Sequence, residues 1–265
     1  WLGIVLTGAL LSLTLLPILK TGNWVARICD FPRVQILALS ILPIALLALA
    51  IGLDGSSPLR FAMLGLLAGI AVWQFSHIVR YTRFWPCEVT KDKHGKSLTV
   101  MIVNLDYQND RKEPVCETLT THDADVLLLI EIDALWERGL ADVLDDYPHR
   151  EGIVRGEGLG IVLASKFPMR DMEFRHLVSE ERASVHAVIE VDGEDVRVSA
   201  LHPTPPGLKS DQGERHDSRK RDAELVLVAK EIQEAEPQHR VVMGDLNDVA
   251  WSHTTRLFRR LSGLR

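Results

Sequence analysis

Charged residues are almost missing from the first third of this sequence. Residues 1–85 hold six Lys or Arg and two Asp, whereas the 265-residue chain holds 30 Lys+Arg and 36 Asp+Glu. Trp1 to Leu19 carries no charge before Lys20, Ile36 to Leu53 carries none, and Leu59 to Val79 is broken only by Arg60, Gln74 and His77. Apolar runs of about 18 or more residues are candidate membrane spans, because about 20 helical residues cross the hydrocarbon core. A signal peptide accounts for one such run near an N-terminus and not for three. Three buried helices of a soluble protein would need a partner domain covering them all round.

Cysteine is scarce too. Cys29, Cys87 and Cys116 have no metal-ligand spacing, and their odd number excludes a disulfide framework. A basic surplus is lacking in the remaining two-thirds, which carry 24 basic and 34 acidic side chains, a net of −10. That balance lacks the electrostatic footprint of a tight duplex binder and weighs against long nucleic acid as substrate, although a divalent cation offsets it locally. No internal repeat is visible. There is no Met at the start, where the chain opens at Trp1, and it stops at Arg265 after a Ser-Gly-Leu turn, so both ends are expected to be cut.

What is present begins with a membrane region over 1–85, with spans expected over about 1–19, 36–53 and 59–79. Trp24, Trp73, Tyr81, Phe84 and Trp85 suit interfacial positions. Gly65 and Gly69 give a GxxxG spacing able to pack helices closely. Lys20, Arg27 and Arg33 lie in the first loop, and Arg80 and Arg83 follow the third run. Three spans put these two regions on one side, cytoplasmic by the positive-inside rule, and Lys or Arg upstream of Trp1 would reverse the assignment.

Residues 86–97 turn polar and read as a linker. From 98 to 265 the pattern is a partial alternation of strands, helices and hairpins, which predicts a mixed-sheet α/β domain. Leu98–Val103 alternates, the continuous run Asp125–Ile130 reads as a strand buried on both faces, and Gly158–Ser165 follows a flexible turn. Ser184–Val191 and Val196–Leu201 flank Asp192-Gly193, a hairpin signal. Helices are expected over 111–122, 134–144, 223–235 and 252–261. Arg240–Asp248 (RVVMGDLND) reads as a buried strand cut off by Gly244.

Four of these strands end in polar residues: Asn104, Glu131, His202 and the pair Asp245, Asn247. Strand alternation points Asp245 and Asn247 the same way and Leu246 the other. Each residue has an ordinary reading: Asn104, Asp245 and Asn247 as turn residues, Glu131 as a helix cap, His202 as a loop histidine. Together they supply metal-assisted in-line attack at phosphorus. Glu131 offers a hard oxygen ligand suited to Mg2+, with Mn2+ as a substitute, and Asn104 supports the metal or a phosphate oxygen. His202 can donate to a non-bridging oxygen, Asp245 can orient the attacking water, and Asn247 can hold the phosphate.

The segments VNLDYQN, DADVLLLIEID, GLGIVLASKFP, RASVHAVIEVDGEDVRVSALHP and VVMGDLND resemble, in order, the endonuclease/exonuclease/phosphatase superfamily. The resemblance covers about Leu98 to Arg265; GDLN and DADVLLLIE are its specific parts. It implies a deoxyribonuclease-I-like α/β sandwich, here preceded by three transmembrane helices. It also implies a metal site at Asn104 and Glu131, phosphate binding by His202 and Asn247, and a water positioned by Asp245. A multi-helix anchor ahead of this domain is similar to bacterial inner-membrane members of the family. The expected activity is Mg2+-dependent hydrolysis of a phosphoester in nucleic acid, a phospholipid head group or a small molecule, at a lipid bilayer. The family pattern ends in a strand with an Asp-His pair, which residues 1–265 do not contain. The chain as given is therefore expected to turn over little or no phosphodiester, and the alternative function is an inactive binding or scaffold module.

Overall fold

The computed structural model describes residues 2–19, 21–55, 57–89, 97–206, 217–235 and 239–265. Most of the expected linker, at 90–96, lies outside the described residues, as does Lys20. The chain divides into two compact units. One joins the N-terminal helices to Val249–Arg265, and the other holds all the strands.

In the first unit, α1 spans Leu2–Leu15, α2 Trp24–Ile28, α3 Arg33–Asp54 and α4 Pro58–Ile78. The helices α3 and α4 are long and apolar enough to cross a membrane, and 11% and 22% of their apolar windows are buried. The expected first span is a 14-residue helix extended by a 3-10 turn over Leu16–Leu19, shorter than the other two. Leu10, Ile36, Leu67 and Ile70 join α1, α3 and α4 in one apolar cluster. A buried polar chain crosses it: Arg33 donates to Asp30 (2.6 Å) and to Gln74 (3.0 Å), and Gln74 donates to Thr14 (2.9 Å). Such bonds hold helices together where water cannot compete. The Gly65–Gly69 face takes no part, since a Cβ at either glycine would meet nothing within 4 Å.

The second unit contains β1 (Val100–Asn104), α5 (Lys112–His122), β2 (Val126–Ile130), α6 (Ala134–Gly139), α7 (Ala141–Leu144), β3 (His149–Ile153) and β4 (Ile161–Ser165). It continues with β5 (Met169–Arg175), β6 (Ser184–Val191), β7 (Glu194–Leu201), α8 (Arg219–Glu234) and β8 (His239–Gly244); α9 (His253–Ser262) belongs to the first unit. Two four-stranded sheets form, ordered β1-β2-β4-β3 and β5-β6-β7-β8. Residues of one face from each sheet share a core: Val126, Leu128, Ile130, Ile161 and Leu163 meet Val185, Ala187, Ile189, Val198, Ala200 and Met243. The alternate residues Leu127 and Leu129 turn to the opposite face, where Leu119, Trp136, Leu140 and Leu144 cover them. Both faces of β2 are thus buried, as its unbroken apolar run requires. The expected helix over 134–144 is divided at Leu140, after Gly139. The strands β3 and β5, which the alternation pattern does not mark, complete the sheets from edges rich in charge.

Each sheet contains one parallel pair. Asn104 lies beside Ile130 in β1–β2, and Leu201 beside Gly244 in β7–β8. Parallel pairing sends the C-terminal ends of paired strands to the same sheet edge. Gly244 closes β8 at φ +143°, and a Cβ there would sit 1.8 Å from the Leu201 carbonyl oxygen. Gly244→Ala is therefore expected to cost about 3 kcal/mol or more through backbone displacement and strain, checked by thermal unfolding of the protein in detergent. A melting temperature equal to wild type would contradict this.

Candidate active site

The strand ends converge. Asn104 closes β1, Glu131 follows β2, His202 follows β7, and Asp245 follows β8. The Asn104 amide Nδ2 donates to Glu131 Oε1 (3.0 Å) and to Asp245 Oδ2 (3.1 Å), so one amide joins the two sheets. His202 Nε2 lies 3.8 Å from the same Glu131 oxygen.

Local turn chemistry fixes each group. Asn104 Oδ1 accepts from the Asp106 backbone N–H (3.0 Å), and Asp245 Oδ1 accepts from that of Asn247 (3.0 Å). These are Asx turns. Asn104 and Asp245 are thus turn residues, and each turns its other polar side-chain atom toward the cluster of strand ends. The strand-alternation argument for Asp245 and Asn247 is corrected: the strand ends at Gly244, and Asn247 adopts φ +51° inside the turn. Asn247 instead reaches back to the second sheet, its Nδ2 donating to the Pro203 carbonyl (3.0 Å).

Glu131 sits at φ +62°, in the left-handed region that costs a non-glycine residue about 1 kcal/mol or more. Its N–H bond to the Gly160 carbonyl (2.8 Å) holds it there. Gly158 leaves room for its carboxylate, since a Cβ at that position would stand 3.2 Å from Glu131 Oε2.

Two groups beyond those expected from the sequence belong here. Arg182 Nη1 lies 3.0 and 3.3 Å from the two ring nitrogens of His202 and donates to the Gly158 carbonyl (3.3 Å). Burial pushes its guanidinium down from the usual range, while Glu131, Glu224 and Asp245 act against that. Burial, and then Arg182, lower the His202 pKa to about 4. His202 is therefore neutral at pH 7, with one nitrogen free to accept and the other to donate. Glu224, on α8 and 3% exposed, is pushed up to about 7 by burial, against the pull of Arg182.

These shifts act in opposite senses. His202 and the buried His186, also lowered to about 4, contribute stability that is full above about 6.5 and is lost as pH falls through about 4. Glu224, raised from 4.5 to about 7, contributes stability that is full below 4.5 and is lost as pH rises through about 7. Glu224→Gln should steepen the rise of stability between those values by one proton, about 1.4 kcal/mol per pH unit. Unfolding curves at several pH values check this; an unchanged slope would show that Glu224 titrates normally.

The family model described as Endonuclease/Exonuclease/phosphatase family matches residues 101–265. No curated protein matches the chain in sequence. Among solved structures, a beta toxin mutant from Staphylococcus aureus with bound magnesium ions is 16% identical, at TM-score 0.51 over 64% of this chain and 71% of that one. Sphingomyelinase C from Streptomyces griseocarneus is 19% identical, at TM-score 0.48 over 63% of this chain and 70% of that one. Danio rerio TDP2, complexed with single-strand DNA product, is 17% identical, at TM-score 0.49 over 60% of this chain; the match spans 64% of the TDP2 chain.

Proposed function

The chain belongs to the endonuclease/exonuclease/phosphatase family, and we propose that its strand-end site is a Mg2+-assisted phosphoesterase centre on a membrane-anchored protein. The meeting of Asn104, Glu131, His202 and Asp245 from two sheets carries this reading.

The donor set fits Mg2+. Among the described residues no group of three or more His, Cys, Asp or Glu could cage a metal. Mg2+ asks for less, taking one or two carboxylates and completing its shell with water and substrate oxygens. Two carboxylates converging on one amide gather negative charge that a divalent cation neutralises. Glu131 and Asn104 would hold it, and when bound it polarises a phosphoryl oxygen. The beta toxin that shares the fold carries magnesium ions.

The remaining work falls to the protein. Asp245, fixed from both sides by Asn104 and the Asn247 N–H, orients the attacking water and takes its proton. Neutral His202, buried against Arg182, donates to a non-bridging oxygen. Asn247 spends one amide hydrogen on Pro203 and offers the other to the phosphate. The helices α3 and α4, with α1 as a third span, anchor this centre at a bilayer. Because the acidic surface opposes a polyanion, a lipid head group or small phosphodiester suits the site better than long nucleic acid.

Binding tests this reading. The protein in detergent should take up Mn2+ at one site, read by electron paramagnetic resonance, with affinity raised about tenfold or more by a phosphorothioate diester. Metal and analogue that bind without helping each other would contradict a shared site. Competition by a glycerophosphodiester, a dinucleotide and duplex DNA ranks the substrates, and tightest competition by duplex DNA would overturn the substrate class alone.

A further inference from the structure

The phosphoesterase centre leaves a second charged feature unused, in the unit that contains the apolar helices. A cleft of about 630 Å3 is lined by Arg80, Arg256, Arg259, Arg260, Arg265 and one acid, Glu88. Arg80 follows the end of α4, in the 3-10 turn Val79–Tyr81. Arg256, Arg259 and Arg260 come from α9, where spacings of three and four residues gather them on one helical face.

This helix is tied to the base of the apolar helices. Arg27 donates to Thr254 Oγ1 (2.8 Å), Trp251 Nε1 to the Asp30 carbonyl (2.7 Å), and Tyr81 to the Ala250 carbonyl (2.6 Å). Arg259 pairs with Glu88. Arg33, the first residue of α3, bonds Gln74 near the end of α4, so both long helices have their basic ends here. Around the same end, Arg80 lies 5.3 Å over the Trp85 ring and Arg83 lies 5.4 Å over that of Phe84. Tryptophan, tyrosine and arginine at a span end mark the headgroup level of a bilayer. The cations crowd one another: burial first, and then Arg33 and Arg80, lower the Arg256 pKa, with Asp30 acting against them. A cleft in which Arg80, Arg256, Arg259 and Arg260 face a single acidic side chain, Glu88, at the level where lipid phosphates lie, is complementary to anions.

We propose that this cleft binds the headgroups of anionic phospholipids at the end of α4. The assignment rests on the reading of α3 and α4 as spans and is independent of the phosphoesterase chemistry. It gives α9 a role that the family site does not require.

The test uses the full chain in nanodiscs of phosphatidylcholine with phosphatidylglycerol, with retained lipid counted by native mass spectrometry. Phosphatidylglycerol should be enriched about tenfold or more over its bulk share, and the enrichment should fall with salt and in the double variant Arg256→Gln/Arg260→Gln. Both side chains are exposed, so the fold should survive, and circular dichroism checks that. Arg60→Gln, at the other end of α4, should leave the enrichment unchanged. Equal enrichment in the double variant and wild type would overturn the assignment, as would displacement of the lipid by a short DNA duplex. Extraction of the chain from membranes by alkaline carbonate would overturn the spans and this cleft together, whereas insertion without enrichment would overturn the cleft alone.

Discussion

Replacing Glu131 by Gln is expected to weaken Mn2+ binding more than about 100-fold, because loss of a group that merely supports a ligand already costs 10–100-fold. The substitution keeps the volume of the side chain and the oxygen that accepts from Asn104, 3.0 Å away. It leaves the backbone at φ +62°, where glutamine is no worse placed than glutamate. The loss should therefore appear in metal binding and in metal-dependent affinity for a phosphodiester analogue, without a change in the unfolding temperature. Isothermal titration and thermal unfolding of the same preparations separate the two. Retained metal binding would remove Glu131 from the site.

The largest stability effect is expected at Arg221. This side chain is 0% exposed, and it donates to the Asn247 carbonyl (2.6 Å) and to Asp222 (2.8 Å) while lying 3.4 Å from Asp248. Asp248 is itself buried, with 2% of its side chain exposed. Arg221→Leu removes the guanidinium from beside that carboxylate, a change that costs about 3–5 kcal/mol for buried pairs. Pairing it with Asp248→Asn should recover part of the loss, since the two sites are coupled. Because Arg221 also holds the turn of Asn247, the variant should bind the phosphodiester analogue more weakly than its stability alone explains. Denaturant unfolding followed by hydrogen exchange in β8 measures the first effect. A cost below about 1 kcal/mol would place Arg221 outside the folding core.

Much of this was legible in the residues. The apolar run Asp125–Ile130 marks a strand buried on both faces, and Asp192-Gly193 marks the hairpin; Arg240–Gly244 marks a strand too, but one that lies at a sheet edge and is only half-buried, against the expectation of a buried strand. The polar ends of the strands supply the residues proposed above for the site, and the structure brings Asn104, Glu131, His202 and Asp245 together. Four features were harder to read. Alternation misplaces Asp245 and Asn247 because it assumes the strand continues, whereas Gly244 ends it and an Asx turn takes over. The edge strands β3 and β5 alternate poorly because one is glycine-interrupted and the other carries charge at most of its positions. Arg182 opens the segment RASVHAVIEVDGEDVRVSALHP, but nothing in the spacing of that segment marks it as a group beside His202. The β6–β7 ladder ends at the pair Val185–Ala200, three residues after Arg182 and two before His202. In the structure Arg182 Nη1 lies 3.0 Å from His202 Nδ1, a contact that strand register does not by itself give. Glu224 is one more charge on an amphipathic helix in sequence, and only its burial near Arg182 sets it apart.

The central claim is that strand ends from two sheets hold one metal beside His202. Paramagnetic broadening tests it most directly. Mn2+ added to the protein carrying labelled histidine should broaden the His202 ring resonances, because His202 Nε2 stands 3.8 Å from Glu131 Oε1. The resonances of His186, which is bonded to Ser184 and Ser199 on another face of the second sheet, should stay sharper, and Glu131→Gln should abolish the difference. Equal broadening of the two rings, or broadening of His202 that survives in Glu131→Gln, would contradict the account.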